Sequence, residues 1–321
     1  MKNRLLYFDQ MKGLAILFVV IGHVFLFSYG VQKNSVDTML TIFHMPVFFY
    51  ISGFLAYRSI PTMKEWWARL WKKIHALFFP YVVFAGLWCF FRNKDYLHLL
   101  STGGSEYWFM YVLFLLTVFF MFFELLVKHI KNSVLYVVAW LMPYAILIYI
   151  QRRYGEIGGG IFAINQLVVF YRFYLLGFIC KKYVSINELV FNNKYVYGVC
   201  FMAFFARWYW SEGCNMLISF MGITGAIIIL QNFFIKSVNS ESRLMKMLAY
   251  IGQNSLEIFL LQYFFLPDLS EIVGPYMDVQ NGFIWQLSLA FLLTIPITAA
   301  CLFVGTIIKN NKLLSWIMLG K

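Results

Sequence analysis

Asp9, Lys12 and His23 lie in one stretch near the start of the chain, an acid and a base followed by apolar residues and glycines up to the imidazole. The run is apolar enough to enter a bilayer, where an ionisable group is expensive in hydrocarbon, and this makes His23 a functional candidate. Lys12 and His23 are eleven positions apart, about three helical turns, so they share one face roughly 16 Å apart along the axis. Asp9 stands one turn before Lys12 and falls near the same face. One helix wall thus joins a charged mouth at the membrane surface to a proton-transfer group in the interior. The plainer reading of His23 is a packed, hydrogen-bonded histidine without chemistry.

A second histidine, His44, belongs to the run Phe43–His44–Met45–Pro46. Counted from the helix ends, both histidines fall roughly 10 Å below the outer surface, so two antiparallel neighbours would bring them to one level. Pro46 removes a backbone donor and can open space beside His44. An imidazole titrates near neutral pH and suits general-base work. Two histidines without a third ligand make a poor metal site, and none is expected. For His44 a structural role is as well supported as a chemical one.

The segment from Arg58 to His75 is the most basic in the chain, with Lys64, Arg69, Lys72 and Lys73 interleaved with Trp66, Trp67 and Trp71. It fits a polyanion such as a nucleotide phosphate; it also fits a topology signal with tryptophan anchors on anionic lipid. Arg172 and Arg207 fall inside apolar helices, where structural pairing and substrate contact explain a guanidinium equally well. The glycine-rich loop expected at Arg152–Gly160 carries Arg153 and Glu156 and is flexible enough to hold an acceptor, although a plain connection is the simpler reading.

These residues need elements to position them, and the composition says which. Of 321 residues 62% are hydrophobic and 12% charged, with a mean hydropathy of +0.72. This predicts an all-α, polytopic membrane protein with a single domain over residues 1–321. About ten transmembrane helices are expected, near Gly13–Gly30, Met39–Tyr57, Ala76–Phe91, Tyr107–Val127, Val134–Ile150, Ile161–Ile179, Tyr195–Trp210, Met216–Ile235, Leu248–Leu266 and Phe283–Ile308. A short interfacial helix is expected within Arg92–Glu106, and the longest polar linkers, Ser185–Lys194, Lys236–Lys246 and Pro267–Gly282, are too short to fold alone. The N-terminal run lacks a small-residue cleavage pattern and reads as a retained first helix.

The net charge of +12 arises from 26 Lys and Arg against 14 Asp and Glu. In this topology the outer segments hold only Lys33, Arg92, Lys94, Arg152 and Arg153. That bias places both termini in the cytoplasm. No separable surface of basic and aromatic residues argues for nucleic acid. The five cysteines have no paired spacing and read as small packing residues.

Four segments together resemble the membrane acyltransferase-3 superfamily, bacterial inner-membrane enzymes that acylate glycans. Asp9–Gly13 through His23 looks like its first-helix motif, and Phe43–Leu55, with His44–Met45–Pro46 and Ser52–Gly53, looks like its second. The basic run from Arg69 to Pro80–Tyr81 is similar to the one before its third helix. Tyr107–Trp108–Phe109 and Ile251–Gly252–Gln253–Asn254–Ser255–Leu256 resemble later landmarks. Lys12 stands where the family usually has arginine, and Gln262 where many relatives have histidine; no extracellular hydrolase-like domain is expected. The resemblance implies an acyl-CoA donor, acetyl-CoA by default, with a glycan or lipid-linked sugar as acceptor. The reading of the residues then makes His23 the expected base, with Asp9 or another carboxylate setting charge and orientation near the mouth and His44 shaping the site, and gives Lys12, Arg69, Lys72 and Lys73 to the nucleotide phosphates. Trp108, Arg153, Glu156 and Arg172 would face the acceptor. A covalent acyl-histidine stays open, as do two rivals: a transporter or flippase with a solute or proton path, and a non-catalytic partner of a glycan synthase.

Overall fold

The computed structural model describes residues 5–31, 35–58, 62–93, 106–158, 163–209, 216–238, 242–277 and 282–320, and every regular element among them is helical. In chain order these are α1 (Leu6–His23), α2 (Ser35–Ala56), α3 (Met63–Lys73), α4 (Phe79–Arg92), α5 (Trp108–Val127), α6 (Ser133–Gly158), α7 (Ile164–Lys182), α8 (Val184–Asn192), α9 (Lys194–Tyr209), α10 (Met216–Ser237), α11 (Arg243–Gln253), α12 (Ser255–Leu261), α13 (Ser270–Val273), α14 (Phe283–Asn310) and α15 (Lys312–Leu319). A π-helical turn, Val24–Ser28, continues α1; another, Ile74–Phe78, joins α3 to α4; a 3₁₀ turn, Gln262–Phe264, follows α12.

Among the described residues six helices are long and apolar enough to cross a membrane, and a seventh span results if the pair Val184–Asn192 and Lys194–Arg207, bent by 63°, is counted as one. The protein is therefore a multi-pass membrane protein. Of the other expected spans, two are represented by the shorter apolar helices Ile42–Ala56 and Ser255–Phe264, and the third by α7, a continuous helix of 19 residues that is not among the six.

Several boundaries move, each for a local reason. α1 begins at Leu6 instead of Gly13, which takes Asp9 and Lys12 into the helix, and Asp9 lies in the first turn where a carboxylate offsets the positive helix end. The expected basic loop is the amphipathic helix α3. Its Thr62 hydroxyl accepts the Glu65 N–H at 3.3 Å, the capping arrangement that starts a helix, while Lys72 and Lys73 suit its negative end. Residues 152–158 close α6 and are not a loop. Asn193 restarts the chain between α8 and α9 by accepting the Tyr195 N–H at 2.9 Å. α15 was not expected; Asn311 caps it through the N–H groups of Leu313 and Leu314. The interfacial helix expected within Arg92–Glu106, and Lys33, fall largely or wholly outside the described residues.

The chain divides into two compact units, residues 1–48 with 184–307 and residues 49–183 with 308–321. In the first, α1 packs on α11 with backbone touching backbone. A Cβ on Gly13 would overlap the Leu248 carbonyl, and one on Gly252 would overlap the Asp9 carbonyl and stand 2.7 Å from the Gly13 nitrogen. Such crossings of small residues are how helices associate where lipid supplies no hydrophobic drive. α9 and α10 repeat the device, with Gly225 against the Cys200 carbonyl and Gly222 against that of Ala203.

In the second unit Gly53 of α2 lies against Tyr174 of α7, and Gly177 of α7 against Tyr50 and Phe54. Phe120, Trp140 and Phe178 pack together, with the Phe120 and Trp140 rings stacked at 4.4 Å. The Tyr171 hydroxyl donates to the Trp140 carbonyl at 2.8 Å. α3 is fastened to α5 by buried Trp66, whose indole N–H donates to the Met121 carbonyl at 3.2 Å, with Leu70 beside it.

Candidate active site

His23 is the last residue of α1 before the backbone widens into the π turn. Single π turns inside α-helices gather at functional sites. The half-buried ring lies 3.2 Å, from its Nε2, to the hydroxyl of Tyr263, and the two rings are 4.8 Å apart. Tyr263 is supplied by the 3₁₀ turn that ends α12. Phe27, in the π turn, stands edge-on to both, 5.7 Å from His23 and 5.6 Å from Tyr263. Both helical runs thus depart from α geometry at the level where their polar side chains meet.

Asp9 and Lys12 form an ion pair at 2.8 Å, the carboxylate buried and the ammonium partly exposed. The acid and base read from the sequence as a charged mouth are paired with each other, so the lysine is already neutralised by its neighbour. In the same unit Phe18 of α1 meets Phe43 of α2 edge-on at 5.6 Å. His44, next to Phe43, is buried and its Nδ1 is 2.7 Å from the Leu40 carbonyl. A carbonyl only accepts, so Nδ1 carries the proton and His44 is tied to its own helix. Deeper in this unit α12 buries Glu257 completely, with Gly305 of α14 leaving room for it.

The second unit holds a cavity of about 480 Å³ lined by Arg58, Arg69, Lys128, Lys131 and Lys182, with His129, Tyr57 and Tyr183. Aromatic and apolar side chains, Trp66, Phe120, Met121 and Phe178, close its other walls. Arg69 reaches it from the first turns of α3 and donates to the Ala56 carbonyl at the end of α2. Glu124, the one acid among the described lining residues, is held internally: the Tyr136 hydroxyl donates to it, and Lys182 stands 3.7 Å away with its ammonium over the Tyr136 ring at 3.1 Å. Burial, and then the Glu124 carboxylate, raise the Tyr57 and Tyr183 phenols above their ordinary pKa, which keeps both neutral. The cavity is positive and able to take a phosphorylated ligand.

Of the four cations read as phosphate ligands, Arg69 alone lines this cavity; Lys72 is exposed and Lys73 half-buried elsewhere on α3. Lys12 belongs to the other unit. Trp108 opens α5 and stacks on Phe170 at 5.3 Å, which stacks on Phe49 at 4.5 Å. The Arg172 Nε donates to the Val169 carbonyl at 3.1 Å, and its guanidinium lies 5.1 Å from the Phe173 ring. Arg153 is exposed near the end of α6. The side chain of Glu156 lies outside the described residues.

Tyr263 and the cavity residues Lys128, Lys131, Lys182 and Glu124 escaped the sequence reading. The lysines had been absorbed by the inside-positive bias, which explains a cytoplasmic lysine without asking what it faces. Tyr263 follows Gln262, whose departure from the resembled pattern was the available signal.

Comparison with known proteins completes the description. The acyltransferase 3 family model, described as an acyltransferase domain, matches residues 5–303. The chain is 27% identical to the nodulation protein NolL of Sinorhizobium fredii (strain NBRC 101917 / NGR234), over 88% of this chain and 82% of that protein. No solved structure matches.

Proposed function

The chain belongs to the acyltransferase 3 family and is a membrane acyltransferase, and from that premise we propose that it moves an acyl group, acetyl by default, from cytoplasmic acyl-CoA to a hydroxyl of a cell-surface or lipid-linked glycan. The observation that carries the donor half is the cation-lined cavity of the second unit. Coenzyme A presents a diphosphate and a sugar phosphate, and guanidinium forks with mobile ammonium groups suit that charge. Arg69 contacts the phosphates with Arg58, Lys128, Lys131 and Lys182. Lys72 and Lys73 add to the positive field that draws the donor from solution, whereas Lys12 is neutralised by Asp9.

His23 is the general base. It takes the proton of the acceptor hydroxyl as that oxygen attacks the thioester carbon, and returns it to the departing thiolate. Asp9 fixes charge at the mouth by holding Lys12. His44 and Trp108 shape the site, and Arg153, Glu156 and Arg172 meet the acceptor. Residues 1–321 act as one acyltransferase domain of about ten crossings in the bacterial inner membrane, both termini cytoplasmic. The inside-positive bias and the family match along nearly the whole chain support this arrangement.

The test is thiol release from labelled acetyl-CoA by protein purified into nanodiscs, wild type beside His23→Ala. Donor binding by both, with release dependent on His23, is the expected result. A folded wild type that neither binds nor consumes acyl-CoA would overturn the reading and favour a solute path.

A further inference from the structure

The first unit contains an open groove of about 640 Å³ where α8, α9 and α10 meet. We propose that it binds an anionic phospholipid, with the phosphate held by Lys194 and Lys236 and an acyl chain laid along Tyr197, Gly198 and Phe201. The lining follows from spacing. Lys194, Tyr197, Gly198 and Phe201 stand at i, i+3, i+4 and i+7 of α9, which is one helix face. Asn232 and Lys236 are one turn apart on α10 and supply the facing wall. The two helices run antiparallel, since Gly222 meets Ala203 and Gly225 meets Cys200. The Asn232 amide donates to the Phe191 carbonyl at 2.8 Å and ties the end of α8 to the same place.

Depth and charge select the ligand. Lys236 lies in the last turn of α10, which is long and apolar enough to cross a membrane, and Lys194 is the first residue of α9. Both ammonium groups therefore belong at the level of lipid headgroups. Phe201, seven residues along the helix, lies about 10 Å deeper, at the level of acyl chains. No acid lines the groove, and neither lysine pairs with an acid among the described residues. Two cations without a counter-ion between apolar helices attract a lipid phosphate. A zwitterionic headgroup would bring a third cation into the same space, so the anionic lipid is favoured. The apolar part is open as well: a Cβ on Gly198 would meet nothing within 4 Å, and Phe201 is exposed. Lysines reaching up to the interface give only a diffuse attraction; the groove adds shape to it.

The experiment uses the full chain in phosphatidylcholine nanodiscs with a trace of phosphatidylglycerol bearing a photoreactive acyl chain, and mass spectrometry maps the cross-links. The label should concentrate on α9 between Tyr197 and Phe201, and a photoreactive phosphatidylcholine at the same level should label that stretch about tenfold less. Both lysines are exposed, so replacing them leaves the packing alone. Lys194→Gln with Lys236→Gln should reduce the label there about 10- to 30-fold, roughly fivefold for each lysine, with labelling elsewhere unchanged. Gly198→Trp keeps both lysines, fills the groove and should abolish the label. Label spread evenly over the apolar helices, equal label from the two lipids, or a double variant that labels like wild type would overturn the proposal. So would undiminished labelling of Gly198→Trp, which would leave surface charge alone as the cause. Displacement of the label by millimolar inorganic phosphate would also overturn it, by making free phosphate the ligand.

Discussion

Gly252 is where one methyl group should do the most damage. A Cβ there would overlap the Asp9 carbonyl oxygen and stand 2.7 Å from the Gly13 nitrogen. Both are main-chain atoms inside α1, so no side chain can swing away and the helices must part. Overpacking a fitted contact costs about 1–3 kcal/mol, and this is the unfavourable case because backbone must yield. Parting α1 from α11 by about an ångström also disturbs the 3.2 Å approach of Tyr263 to His23 further along the same pair of helical runs. Misplacement on that scale costs roughly 100-fold in rate. Gly252→Ala should therefore lower thermal stability in detergent and, in the folded fraction, cut His23-dependent thiol release by about two orders of magnitude. Size-exclusion profiles, melting followed by tryptophan fluorescence and acetyl-CoA turnover report the two effects separately. If Gly252→Ala melted and turned over like wild type, the backbone crossing would not be what holds α1 in place.

Other substitutions test other parts. His23→Ala should retain nucleotide binding and lose about 10²–10⁴-fold in thiol release, the usual worth of a general base. Arg69→Ala or Lys182→Ala should weaken coenzyme A binding about 5- to 50-fold by calorimetry, and the wild-type affinity should fall as salt rises. Gly177→Ala, pressed against Tyr50 and Phe54, should destabilise the second unit by about 1–3 kcal/mol without a selective effect on turnover, read as melting and kcat measured together. Trp66→Phe deletes the bond to the Met121 carbonyl and should cost about 1 kcal/mol, visible as a lower melting temperature.

The membrane class and helical nature of the chain were legible because apolar length is a crude and strong signal, as in α5, α10 and α14. What escaped was interruption. The break at Asn254 lies within the expected span Leu248–Leu266, where hydropathy averages over it, and α8 occupies the stretch Ser185–Lys194 that reads as a polar linker. α3 was missed because its alternation of lysine and tryptophan resembles an anchored loop; the Thr62–Glu65 capping pair was the readable clue. At the site, spacing along one helix found His23, Asp9 and Lys12, whereas Tyr263 lies 240 positions from His23. No periodicity within one helix reports a partner that distant. The cation cavity was half legible: Arg69 was named, but Lys128, Lys131 and Lys182 come from other elements.

That same separation of 240 positions bears on how the protein is made. The first unit is split in sequence, and residues 49–183 intervene before its second part. At about 5–20 residues per second, the ribosome needs roughly 12–48 s to deliver the tyrosine after the histidine. During that interval α1 waits in or near the bilayer with Asp9, Lys12 and His23 but without its partner α11–α12. A nascent chain stalled before Gly252 presents polar groups and a bare glycine face to lipid. The pairing of α1 with α11 and α12 is therefore completed only late in synthesis, and slow translation between them lengthens the wait.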